Sequence, residues 1–248
     1  MKINEIPVIL HSMDSYSRFW NPWYQLFNLH CKNHGPIIFL SEEKEPDFID
    51  DVTHIKTGAG EWGERLLRAL NQIDGELVFY MQEDFWCVND YELTDELLDL
   101  FIQYNMDQLH VKEKSHLVSL SQIKNNLYKF NQNSNYTQNH QFGLWKKNKL
   151  IENIFPHENP WKNEVDGSKR LNQKQHNVYL LDLHWYITVC RRGQLMDRGQ
   201  IILEKYKNIH TLNDEEKKKV VDIVSMFKQH GIYNYNTYDN KQINIEKT

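Results

Sequence analysis

Three cysteines, Cys31, Cys87 and Cys190, are all that the 248 residues contain. An odd number without C-x-x-C spacing argues against a disulfide framework or a zinc ribbon and points to a reducing, cytoplasmic setting. Long hydrophobic runs are missing too. The longest apolar stretches have the length of a strand, far short of the ~20 residues of a membrane helix. The opening MKINEIPVILHSMD holds only a short apolar block between Ile6 and His11, so neither a signal peptide nor an integral membrane segment is expected. Positive charge is scarce: a formal net charge of −5 and a pI near 6.2 leave no excess of Lys and Arg to track a phosphate backbone, which argues against nucleic acid as a partner. No internal repeat is visible. What remains is a chain with 40% hydrophobic and 25% charged residues, able to enclose the core of one large domain over residues 1–248.

Over residues 1–110 strand and helix patterns alternate. Ile6 to Leu10 reads as a buried strand, and SRFWNPWYQLFNLH as a helix starting properly at Trp23, after Pro22. PIIFLSEE and DVTHIKTG read as the second and third strands. In EWGERLLRALNQI, Trp62, Leu66, Ala69, Leu70 and Ile73 recur at helical spacing until Asp74-Gly75 stops the helix. ELVFYMQEDFWCVND supplies the fourth strand. TDELLDLFIQYNM follows as a helix with Thr94 as N-cap and Asp95 and Glu96 in its first turn. This alternation predicts an α/β fold with a mostly parallel, buried central sheet whose ligands lie at the carboxyl ends of its strands. Over residues 111–210 HLVSLSQI, LYKF, TQNHQFGLW and NVYLLDLHWYITVCRRGQLM read as strands without long helices between them, an α+β continuation, with KFNQNSNYTQNHQ as a loop or an edge hairpin. Residues 211–248 are expected to form a C-terminal helix, with Asn213 as N-cap, Glu216 as its capping-box partner and Gly231 as its stop, and a peripheral tail.

The fourth strand ends in Glu83 and Asp84, side by side after its most apolar stretch. Neighbouring strand residues face opposite ways, so both reach one ligand only if the chain turns there. A carboxylate in a half-dry crevice needs a partner. Mg²⁺ or Mn²⁺ typically takes one or two protein carboxylates while substrate phosphates complete its shell. The plainer alternative is a solvated pair, or an ion pair with Arg65 or Arg68.

Three segments decide between these readings: TGAGEWGERLLRAL, QEDFW, and NHQFGLWKKNKLIENIFPHENPWKNEVDGSKR. Together, over roughly residues 5–205, they make the chain resemble nucleotide-sugar glycosyltransferases of the GT-A fold, of the bacterial and viral polysaccharide type. The resemblance implies a Rossmann-like nucleotide-binding half (1–110), an acceptor-side half (111–210), a nucleoside diphosphate sugar as donor and a glycan or lipid-linked glycan as acceptor. It implies that His11, Ser12 and Asp14 contact the base and ribose, that Gly60, Trp62 and Arg65 border the nucleotide, and that the acidic motif grips a divalent cation and the diphosphate. Asp84 is then the metal ligand, Glu83 assists it on the diphosphate side, and His184 is a late histidine able to complete the shell. QEDFW departs from a strict D-x-D, with Gln82 and Trp86 in the flanking places.

Sugar transfer also needs a base for the acceptor hydroxyl. Glu164, three residues after Trp161, is the candidate and Asp166 the reserve; Trp161 is placed to stack on a sugar face, and a separate acceptor-side carboxylate favours inversion. Arg191, Arg192 and Arg198 form either a phosphate-closing loop or a solvated hairpin. A non-catalytic carbohydrate- or nucleotide-binding protein on the same scaffold is the first alternative. A nucleotidyltransferase ranks lower, because HSMDSYSRFW lacks a Gly-rich signature of the G-x-G-T-R type after the first strand.

Overall fold

Two sets of apolar residues, one on each side of every central strand, organise the fold. In the computed structural model, which describes residues 1–191, 194–200 and 202, Val8–His11 (β1), Ile37–Ser41 (β2), Thr53–Lys56 (β3) and Leu77–Gln82 (β4) are joined in parallel in the order β3-β2-β1-β4. Val8, Leu10, Phe39, Phe79 and Met81 pack to one side, against Trp23, Phe27, Leu97 and Phe101 of helices Trp20–His30 (α1) and Asp95–Gln103 (α3). Ile9, Ile38, Leu40, Val78 and Tyr80 pack to the other, with Trp62, Leu66, Leu150 and Leu171 of helices Trp62–Leu70 (α2), Lys147–Asn153 (α4) and Pro160–Gln173 (α5). Alternate residues thus face opposite layers, and both layers are apolar, which is why these strands read as unbroken hydrophobic runs.

The second half extends the same sheet. Phe85–Cys87 (β5) leaves it to pair with Tyr186–Thr188 (β11). Gln108–Lys112 (β6), Leu120–Lys124 (β7), Leu127–Phe130 (β8), Gly143–Lys146 (β9) and Val178–Asp182 (β10) complete nine strands in the order β3-β2-β1-β4-β9-β6-β10-β8-β7. Only β9 and β8 run against the common direction, so the sheet is mostly parallel, with antiparallel pairings confined to its second half. Cys31, Cys87 and Cys190 are buried free thiols, as expected of unpaired cysteines.

Three boundaries differ from expectation. α1 begins at Trp20 rather than Trp23, after a 3-10 segment at Asp14–Phe19; Pro22 falls in its first turn, where a missing N–H removes no helical bond. α2 ends at Leu70, before Asp74-Gly75. The largest correction is α5, a 14-residue helix in the region read as strands without long helices between them. Its start signals are strong: Asn159 Oδ1 accepts the Lys162 N–H at 2.8 Å, and Pro160 sits at the first position. Thr94 does precede α3, but its hydroxyl donates to Glu96 rather than capping the backbone. Arg192 and the expected C-terminal helix with Asn213, Glu216 and Gly231 lie outside the described residues.

Candidate active site

β1 and β4 end level with each other, His11 opposite Gln82. Beyond Gln82 the chain turns at Glu83-Asp84 before β5, and this turn lets both acids reach one space. That space is a cleft of about 610 Å³ at the carboxyl edge of the sheet. His11 and Ser12 reach it from β1, Gly60, Trp62 and Arg65 from the start of α2, and Glu83 and Asp84 from the turn. Trp161 and Glu164 close it from the first turns of α5, and Arg198 from the later chain. Asp14, Asp166 and His184 are not among its lining residues.

The wall beside β1 is built of rings. His11 stacks on Trp62 at 5.6 Å between centroids, and its Nδ1 lies 3.2 Å from the Tyr80 hydroxyl. His11 Nε2 is buried without a hydrogen-bond partner among the described residues. Burial, then the positive charge of Arg65 and the neighbouring His140, hold the imidazole well below its ordinary pKa and keep it neutral. Ser12 has its hydroxyl occupied by the Trp20 indole N–H at 2.6 Å. Arg65, 1% exposed, donates to the Ser12 carbonyl at 3.2 Å and lies 3.8 Å from Glu42, tying the ends of β1 and β2 together. Arg68 pairs with Glu64 at 2.8 Å. Among the described residues neither arginine is within ion-pair distance of Glu83 or Asp84, although the charge of Arg65 acts on Glu83 from within the same cleft.

At Gly60 the backbone has φ 141°, and a Cβ would stand 2.6 Å from the Glu64 carboxylate. Gly63 is needed for a closer approach: a Cβ there would lie 2.0 Å from the Phe155 carbonyl oxygen. Through this contact the Gly63 N–H donates to the Glu158 carbonyl at 3.1 Å and the Glu64 N–H to the Pro156 carbonyl at 3.0 Å. The second and third amides of α2 are therefore spent on the other half of the molecule and are not left for an anion. Glu158 is anchored in turn by a two-pronged bond from Arg170, both contacts at 2.7 Å.

Three carboxyl groups share the floor and far wall. Burial, and next the charge of Asp84, push Glu83 well above the ordinary carboxylate range. Burial also raises Asp84, with Glu164 adding to the effect. Glu164 is raised by burial, against the pull of the His140 N–H, which donates to it at 3.4 Å, and of the nearby ammonium of Lys112. Asp84 Oδ1 is buried without a hydrogen-bond partner among the described residues. An unpartnered carboxyl oxygen next to a second carboxyl group is a donor set that could take one hard cation. Among the described residues no group of three or more His, Cys, Asp or Glu is arranged to hold an ion, so the protein would supply at most the two carboxylates, with phosphate and water as the other donors.

The three residues left outside have other work. Asp14 accepts the N–H groups of Glu42, Glu43 and Lys44, each at 3.1 Å, and clamps the loop after β2. Asp166 pairs with Lys169 at 2.9 Å on the outside of α5. His184 is exposed and lies 3.1 Å from Glu113, so it does not join Asp84. Sequence reasoning missed Tyr80, His140 and Lys112. Tyr80 stands in an apolar run that reads as plain core, and neither His140 nor Lys112 carries a spacing that ties it to Glu164.

No protein-family model matches the sequence, and no curated protein matches it. Solved structures do resemble the fold. Staphylococcus aureus TarS, residues 1–349, in complex with UDP-GlcNAc aligns at a TM-score of 0.51 and 15% identity over 91% of this chain and 73% of that one. In a longer TarS structure the match spans 43% of that chain. HddC from Yersinia pseudotuberculosis aligns at 0.55 with 14% identity, over 82% of this chain and 100% of that one. A UDP-glucose pyrophosphorylase complexed with UDP-glucose aligns at 0.50 with 8% identity, over 91% and 99%. At these identities the likeness establishes the fold: a GT-A-like, Rossmann-related α/β sheet.

Proposed function

We propose that the chain is a glycosyltransferase that moves a sugar from a nucleoside diphosphate sugar to a hydroxyl of a glycan or lipid-linked glycan, with inversion and with help from Mn²⁺ or Mg²⁺. One observation carries this reading. A cleft at the carboxyl edge of the sheet sets an acidic pair, Glu83 buried and Asp84 half-buried with one oxygen unpartnered among the described residues, opposite a third carboxyl group delivered by α5. The TarS complex with UDP-GlcNAc and the pyrophosphorylase complex with UDP-glucose support a donor of this class.

Asp84 and Glu83 would hold the cation, which when bound offsets the charge growing on a leaving diphosphate. Arg198, on the same cleft, is placed to meet phosphate. The ring wall of His11 and Trp62 offers the nucleotide a neutral, stacking surface. Glu164 takes the proton of the acceptor hydroxyl; its raised pKa moves it toward the operating pH, where a general base works best. Trp161, 63% exposed at the mouth, presents its face to the arriving sugar.

The test is a thermal-shift series with nucleoside diphosphate sugars, with and without Mn²⁺, followed by a transfer assay. A ligand at ~100 times its dissociation constant adds ~2.7 kcal/mol, a readily seen shift. Asp84→Ala is expected to lose the metal-dependent part. Glu164→Gln is expected to keep the shift and to lose ~10²–10⁴-fold in transfer; full activity in that variant removes Glu164 from the chemistry, and no turnover by the unaltered protein favours a non-catalytic binder. The pyrophosphorylase likeness keeps sugar nucleotidyl transfer as a second reading, and release of pyrophosphate from a nucleoside triphosphate and a sugar phosphate would select it.

A further inference from the structure

A second cavity, about 530 Å³, lies on the outer side of α5, between that helix and the loop 131–137. Gln132, Asn133, Asn135, Tyr136 and Gln173 rim it, and none of their side chains makes a hydrogen bond among the described residues. Four primary amides and a phenol, all exposed, thus line one space with donors and acceptors that no described protein group engages. The loop beneath them is firmly held. Asn172 Nδ2 donates to the Ser134 carbonyl at 3.0 Å, Thr137 Oγ1 donates to the same carbonyl at 3.0 Å, and His110 Nε2 lies 2.9 Å from the Thr137 carbonyl. The one ammonium in the lining, that of Lys169, is neutralised by Asp166. Tyr136 has φ 50° and is 43% exposed, so a bulky residue at the rim of the cavity occupies left-handed backbone. Such a conformation is unfavourable for a tyrosine and persists only where the surroundings impose it.

The cavity and the cleft are lined by successive parts of one helix, α5. Trp161 and Glu164 belong to the cleft, Val165, Ser168, Lys169 and Asn172 to the cavity, so a stripe of exposed Trp161, Val165 and Lys169 and half-buried Asn172 follows the face-sharing spacing of a helix. Glu164 to Asn172 covers ~12 Å of helix axis. Neutral amides that both donate and accept, with an aromatic face at each end, match the hydroxyls and apolar ring faces of sugars, and with Lys169 already paired the lining offers a phosphate or carboxylate no free countercharge.

We infer that this cavity holds the distal sugars of an extended, neutral oligosaccharide or polysaccharide acceptor whose reacting end lies beside Glu164. The direction of that chain rests on the proposed sugar transfer; the binding of neutral glycan does not.

The test uses the full chain on an array of neutral mono-, di- and hexasaccharides with phosphorylated and uronic-acid glycans alongside. Retention of neutral hexasaccharides over the mono- and disaccharides is expected. Tyr136→Gly is the informative variant, because glycine relieves the positive φ while removing the ring. It is expected to melt at a higher temperature than the unaltered protein yet to lose tenfold or more in hexasaccharide affinity, with the thermal shift from donor sugars unchanged. Asn135→Ala is expected to weaken the same binding. Undiminished hexasaccharide binding by both variants, retention of charged glycans only, or no retention of any neutral glycan overturns the inference. A donor-hydrolysing protein that ignores neutral glycans defeats this inference alone, whereas a glycan binder indifferent to every donor sugar defeats the proposed transfer alone.

Discussion

Glu83 and Asp84 are adjacent in sequence yet share one cleft because β4 stops at Gln82 and the chain turns. Their burial has a consequence for stability. With no cation bound, burial and the charge of Asp84 make the folded chain hold the Glu83 proton to a higher pH than the unfolded chain, which releases it near the ordinary carboxylate value. The folded state therefore binds more protons between those limits. The associated stabilisation is complete below the unfolded pKa and is lost as pH rises through the folded one. Glu83→Gln cannot ionise, so urea midpoints measured from pH ~5 to ~9 should decline less for the variant than for the unaltered protein, by an amount on the order of 1–3 kcal/mol at the alkaline end. Equal declines would show that Glu83 is already ionised when folded. At this scale the sequence was partly legible. The acidic pair, Trp62 and Glu164 stood out because polar or aromatic groups at strand ends and helix starts are conspicuous. Asp14, Asp166 and His184 stood out equally, and only three-dimensional neighbours show that they serve a loop clamp and two surface pairs.

Helix α2 meets the loop 155–158 through its first turn, and no larger residue than glycine fits at position 63. Gly63→Ala must push the Phe155 carbonyl away and break the bonds from Gly63 and Glu64 to Glu158 and Pro156. A loss of about 1–3 kcal/mol in stability by urea denaturation is expected, the range for forced overpacking. Because Trp62 and Arg65 ride on the same turn, donor affinity should fall with it; a variant as stable as its parent would mean that the two elements separate freely. α2 and α3 were readable from apolar spacing. α5 was not, because its mean pattern is polar and its buried face rests on Asn163, Gly167, Ser168 and Leu171 rather than on a hydrophobic stripe.

The whole sheet depends on one insertion that local pattern cannot reveal. β9, from the second half, lies between β4 and β6 and runs against both. A fragment of residues 1–110 would thus leave one edge of β4, a strand packed on both faces, without a neighbour. It is expected to show neither a cooperative urea transition nor the circular dichroism of the intact chain; a fragment that folds would make the halves independent units. Alternation of strand and helix announced the parallel first half, but pairing across a long separation is set by which edge is vacant, and no short segment records that. Finally, Cys31, Cys87 and Cys190 are sealed inside one apolar layer beside that sheet, each at 2% exposure or less. A chromogenic thiol reagent can reach them only when the layer opens, so the rate of colour development would count excursions from the native state. The three sulfur atoms are a built-in clock for unfolding that needs no engineered label.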